Sequence, residues 1–145
     1  MGVGGLTTFL TNEALHQKTA QELTALLYEA CLTNLEEASQ LMDQKNFIGA
    51  NDKLQKASDI IHRLGAGINY EAGIIADQLE QVYNYIADKV IEANMKKDKN
   101  ILEEIMTLLS MLMSSWNEAM KTKRDVQAKG IRQKTLAYES SSVYE

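Results

Sequence analysis

Residues 19–44 read TAQELTALLYEACLTNLEEASQLMDQ, and the spacing within them decides the fold. Thr19 followed by Glu22 is a capping box, in which each side chain satisfies an otherwise unpaired backbone N–H at a helix start. Behind it Leu23, Leu26, Leu27, Ala30, Cys31, Ala38, Leu41 and Met42 recur at three and four. That period lays them along one stripe of an α-helix and carries the helix to about Gln44.

The same pattern repeats down the chain. A second helix is predicted from Asn46 with the stripe Phe47, Ala50, Leu54, Ala57, Ile61 and Leu64, ended by Gly65 and Gly67, which can take left-handed caps. A third runs from about Glu71 to Lys96 with Ile75, Leu79, Val82, Ile86, Val90 and Ala93 on one face. Asp98 or Asn100 caps a fourth, and Ile101, Ile105, Leu108, Leu109, Leu112, Trp116 and Met120 carry it to about Lys123. Helices of similar length with short connections predict an all-α fold, an antiparallel four-helix bundle over residues 19–123. A short N-terminal helix or arm (1–18) precedes it and a basic extension (124–145) follows, its serine-rich end from Gln133 expected to fray.

Composition agrees. A chain of 145 residues suits one domain, and 45% hydrophobic with 24% charged residues is a globular balance. There is no proline, and the glycines leave long stretches without a helix breaker. With no run of about 18 apolar residues and no basic leader, neither a membrane span nor a secretory signal is expected, and the expected address is the cytoplasm. The lone Cys31 reads as a buried, inert thiol. The net charge of −5 hides an asymmetry: residues 121–134 carry six basic side chains and one acidic, on an otherwise acidic chain. Nucleic-acid binders place such charge on the folded face, so this run reads as a solvated helix extension and no nucleic-acid partner is expected.

Catalysis finds few candidates. A di-iron bundle needs Glu-x-x-His on two helices, all inward. Glu13 to His16 fits the spacing and Asp59 to His62 nearly does, but Asp59 and His62 lie opposite the Phe47, Leu54, Ile61 stripe and His16 precedes the first cap. The run His62-Arg63-Leu64-Gly65 is similar to the exposed histidine of phosphotransfer bundles, which makes phosphotransfer through His62 the alternative function. Nucleophilic dyads and nucleotide loops have no candidates, so neither an enzyme nor a cofactor is expected.

What stands out is surplus apolar surface. Tyr28 and Leu32 lie about 40° apart around the first helix and away from its stripe, and Ile74 and Tyr85 about 20° apart and away from the stripe of the third. Met106, Met113 and Met120 repeat every seven residues along one edge of the fourth. Flexible methionines suit grooves that take helical partners. A second, partner-binding face is therefore expected.

These segments resemble a known family, the flagellar secretion chaperones that guard flagellin (FliS type). The run Glu22 to Leu32 is similar to the family's opening helix, and Ala57-Ser58-Asp59-Ile60-Ile61 to its second. Tyr83-Asn84-Tyr85-Ile86 leading into Glu92-Ala93-Asn94-Met95-Lys96-Lys97-Asp98 resembles its Tyr-x-Tyr and Ala-Asn-x-Lys-x-Asp signature, and Ser115-Trp116 its late tryptophan. The likeness spans residues 19–123; Ala20 stands where the family carries proline, and Phe9 and Leu10 where it carries a tyrosine-bearing segment. It implies a cytoplasmic chaperone that binds the disordered C-terminal segment of flagellin in apolar grooves, blocks premature polymerisation and delivers it to the flagellar type III export apparatus. The flagellin-binding residues it implies are Leu10, Tyr28, Leu32, Tyr83, Tyr85, Ile86 and Met113, with no cofactor.

Overall fold

The structure, a computed structural model, describes the backbone of residues 13–69 and 73–143, with side chains there except those of 13–19, 74, 124, 127 and 137–143. Its elements are α1 (Glu13–Asp43), α2 (Phe47–Ala66), α3 (Ile74–Lys96) and α4 (Lys99–Val143). The chain divides into two compact units, Met1–Met113 and Ser114–Glu145. The first contains α1, α2, α3 and residues 99–113 of α4; the second contains the remaining residues of α4.

Within the first unit each helix runs back along its predecessor. Lys53 pairs with Glu37 at 2.6 Å, Asn94 donates to Asn51 at 2.6 Å and Tyr85 donates to Glu104 at 2.6 Å. Glu37 and Lys53 each stand six residues from their end of the connection between α1 and α2, as antiparallel neighbours require. The core between the helices is built from Tyr28, Cys31, Leu35 and Ala38 of α1, Leu54, Ala57 and Ile61 of α2, Tyr83, Ile86 and Val90 of α3, and Leu102, Ile105 and Leu109 of α4. All-α architecture and the four-helix bundle are as the periodicity predicts.

The connections explain where the helices stop. Lys45 adopts φ 59°. Its N–H bonds to Met42 O at 3.0 Å and that of Asn46 to Leu41 O at 2.8 Å, a Schellman closure of α1. Asn46 then caps α2, its side chain accepting from Gly49 N at 3.0 Å. The device recurs after α3, where Lys97 at φ 50° precedes Asp98, whose carboxylate accepts from Asn100 N at 2.9 Å.

Three expectations are corrected. α1 begins at Glu13, not Thr19. Glu13, Ala14, Leu15, Gln17 and Lys18 are good helix formers and Ala20 offers no break, so the helix runs through the capping box instead of starting at it. α2 does end near its glycines, but Gly67 sits at φ −89° with its N–H bonded to Arg63 O at 3.2 Å, so no left-handed cap is involved. α4 continues to Val143, past the expected end at Lys123 and through the segment expected to fray; residues 124–143 contain one glycine, no proline and mostly helix-favouring side chains.

Candidate partner-binding groove

The residues expected to form the groove are mostly inside the bundle. Tyr28 is 1% exposed, Leu32 8%, and Tyr83 and Ile86 are likewise buried, which corrects the reading of Tyr28 and Leu32 as surplus surface. The reason lies in the tyrosine hydroxyls. A buried tyrosine needs a polar partner for its O–H, and Tyr28 and Tyr83 supply each other's through a direct hydroxyl–hydroxyl hydrogen bond. Their rings lie 6.4 Å apart and tilted by 49°. Burial pushes both phenols above the usual tyrosine value, so the pair stays protonated.

Turning this face inward keeps Cys31, Ala38 and Met42 of the expected stripe in the core but turns its first leucines outward. Leu23 and Leu26, placed in the core by periodicity, are 55% and 58% exposed. Leu26 borders a recess of about 450 Å³ lined also by Glu29, Ala30, Thr33 and Glu37 on α1 and by Lys53 on α2. So α1 does carry two apolar faces, with the assignment of inside and outside reversed at its first turns. The missing signal was Leu35, fully buried and in phase with Tyr28 and Leu32.

The groove between α2 and α3 is the better formed candidate. A recess of about 210 Å³ is lined by Leu54, Gln55, Ser58, Val90, Ile91, Asn94 and Met95. Farther along the same two helices another of about 220 Å³ has Ile61, Tyr83 and Ala87 in its walls, with His62, Gly65, Glu80 and Asn84. Ile91 is 53% exposed and Met95 81%; Ile48, in phase with the groove side of α2, is 81% exposed. A single exposed apolar residue is ordinary, but Ile91 and Met95 line the same hollow and Ile48 is exposed on the groove side of α2. Sequence reasoning missed Ile48, Ile91 and Met95 because each falls outside the stripe of its helix.

The other expected site residues are dispersed. Tyr85 is exposed, but on the opposite flank of α3, where its hydroxyl donates to Glu104 and the Lys89 ammonium lies 5.6 Å from its ring centroid. Accepting that bond, Glu104 raises the Tyr85 pKa. Met113 is half-buried on α4, and Leu10 and the side chain of Ile74 lie outside the described residues. His62 is exposed beside the groove, its Nδ1 2.7 Å from Ser58 O. Cys31 is fully buried, its thiol pushed up to about 12 by desolvation, in keeping with an inert cysteine. His16 falls within α1, and among the described residues no group of three His, Cys, Asp or Glu could hold a metal. No helix among them is long and apolar enough to cross a membrane.

Comparison with known proteins places this architecture. The family model of the flagellar protein FliS matches residues 7–123. The chain is 26% identical over 117 residues to the flagellar secretion chaperone FliS of Bacillus subtilis, covering 81% of this chain and 87% of that one. It is 26% identical over 119 residues to the FliS of Salmonella typhimurium, covering 81% and 88%. To the FliS of Escherichia coli it is 28% identical over 112 residues, covering 74% and 80%. A helical bundle bearing unused apolar surface, matched over most of its length by these chaperones, belongs to the FliS family of flagellar secretion chaperones.

Proposed function

We propose that this chain is a cytoplasmic export chaperone for flagellin. It holds the C-terminal segment of flagellin as helix in apolar grooves on the bundle, keeps the subunit from polymerising early and passes it to the flagellar type III export apparatus. The observation that carries this reading is the exposed apolar surface of Ile91 and Met95 at one hollow of the groove, with Ile48 exposed on the same side of α2, which the bundle's own core leaves unused. Ordering a disordered segment costs roughly 2–5 kcal/mol, whereas each large apolar side chain buried returns about 1.5–3 kcal/mol, so a few anchors suffice. Tyr85 and Met113 are further contacts in this reading, and Leu10 contributes from the N-terminal segment. Tyr28, Leu32, Tyr83 and Ile86 act by fixing the helices that flank the groove.

Circular dichroism during titration of the full chain with a flagellin C-terminal peptide tests it. The expected result is helix beyond the sum of the components and micromolar or tighter binding. A peptide that gains no helix and does not bind contradicts the proposal. Phosphotransfer through His62 predicts acid-labile phosphate accepted from a response regulator and lost in His62→Gln, and family membership weighs against it.

A further inference from the structure

Charge is divided unevenly along this chain. The unit Met1–Met113 holds 9 basic and 16 acidic residues, whereas the run from Lys121 to Thr135 holds six basic and one acidic. Within α1 the imbalance is sharper: from Ala20 to Asp43 there are five acidic side chains and no lysine or arginine. Lys53 pairs with Glu37 at 2.6 Å and Lys99 with Asp43 at 2.6 Å. The other three, Glu22, Glu29 and Glu36, are exposed and have no cation within pairing distance among the described residues.

These three glutamates are seven residues apart, so with Leu26 and Thr33 between them they form one track along α1, an arc of about 80° on the side away from Tyr28 and Leu35. Leu26, 58% exposed, stands within the track at the edge of the recess of about 450 Å³. The cations beside it, Lys53, Lys56 and Arg63, belong to α2, and Lys53 is held by Glu37. A face of opposite sign lies on α4. Lys121, Arg124, Ala128, Ile131, Arg132 and Thr135 fall within an arc of about 100°, with Asp125 at its edge. Ile131 is 67% exposed, and Lys121, Ala128, Arg132 and Thr135 are exposed as well. Glu22 to Glu36 and Lys121 to Thr135 are each fourteen residue steps, which is roughly 21 Å of helix in both cases. Along itself the basic run offers one acid for six bases, so most of its charge can be matched only from outside.

We infer that the basic face of α4 docks along α1 of a second copy of this chain, with Lys121, Arg124 and Arg132 meeting Glu22, Glu29 and Glu36 and Ile131 seated against Leu26. Both faces are free, equal in length and opposite in charge, and each places one large apolar residue among its charges. Complementary potentials of this kind fix partner and register. Exposed ion pairs contribute little one at a time and are screened by salt, so the contact needs the whole track and weakens as salt is raised. It uses neither the groove between α2 and α3 nor any guest held there.

Sedimentation equilibrium of the full chain tests the inference at two ionic strengths, about 0.01 M, where charges act over roughly 30 Å, and about 1 M, where they act over roughly 3 Å. The mass is expected to rise with protein concentration to at least that of a dimer at low salt and to stay at the monomer at high salt. Two charge reversals, Lys121→Glu/Arg124→Glu/Arg132→Glu and Glu22→Lys/Glu29→Lys/Glu36→Lys, are each expected to leave a monomer with unchanged helix content by circular dichroism. All six substitutions together restore the opposition of charge and are expected to restore association. Asp52→Lys/Asp59→Lys/Asp88→Lys shifts net charge as the glutamate reversal does, at exposed positions off the track, and is expected to associate as the wild type does. A wild type that is monomeric at every concentration overturns the inference, which includes the case of a basic face lying on α1 of its own chain or on another acidic molecule. Association that survives either reversal or high salt, no recovery in the sixfold variant, or equal loss in the aspartate control overturns it too.

Discussion

Tyr28 and Tyr83 show how one hydrogen bond decides which side of a helix is the inside. Each buried hydroxyl is the other's partner, so losing one strands the other. Tyr28→Phe or Tyr83→Phe alone should therefore cost about 1–3 kcal/mol, whereas the double Phe variant, which removes both polar groups, should lie close to wild type. Urea unfolding of the four proteins checks this, and additive losses would contradict it. Cys31 gives a second prediction. Its thiol is raised from 9.0 to about 12, so above pH 9 the unfolded chain releases a proton that the folded chain keeps. Stability from this group is intact below about pH 9 and falls as pH rises towards 12. The urea midpoint should fall over that window, aided by the raised tyrosines above their ordinary value, and Cys31→Ala should flatten the part that begins near pH 9. The orientation of α1 was not legible from its own sequence, because Leu23 and Leu26 make as good a stripe as Tyr28 and Leu32. What decides between them is Tyr83, 55 residues away, a pairing that periodicity does not contain.

At the scale of elements, the sequence was most readable where a local rule acts alone. Asn46 and Asp98 cap their helices as their residue types predict, since the capping bond spans only two or three residues. The capping box at Thr19 fails as a boundary because a cap signal loses to good helix formers on both sides. Two tight connections share one design, a lysine at positive φ followed by Asn or Asp that begins the next helix. Lysine carries a steric cost at that φ that glycine does not. Lys45→Gly should thus raise stability by about 0.5–1 kcal/mol, the lost strain outweighing the added freedom of the unfolded chain. Asp98→Ala should lower it by about 1 kcal/mol. Urea denaturation of each variant measures both; a destabilised Lys45→Gly would show that its side chain contributes more than its backbone costs.

For the molecule as a whole, the fold class and family were legible from the repeating period and the Tyr-x-Tyr and Ala-Asn-x-Lys-x-Asp runs. The groove was not. Ile48, Ile91 and Met95 look incidental in sequence because they matter only when α2 and α3 are set side by side. The account treats that exposed apolar surface as the chaperone's working part. Binding at such a surface raises the apparent stability of the folded state, by about 2.7 kcal/mol at a hundredfold excess of guest over Kd. The thermal midpoint of the full chain should accordingly climb with the concentration of flagellin C-terminal peptide and stay level with a scrambled one. The most direct measurement is calorimetric titration of that peptide into the wild-type chain and into the Ile91→Asp/Met95→Asp double variant, whose exposed substitutions should leave the urea midpoint nearly unchanged. The account predicts affinity at least tenfold weaker in the variant; equal affinity in the two proteins would contradict it.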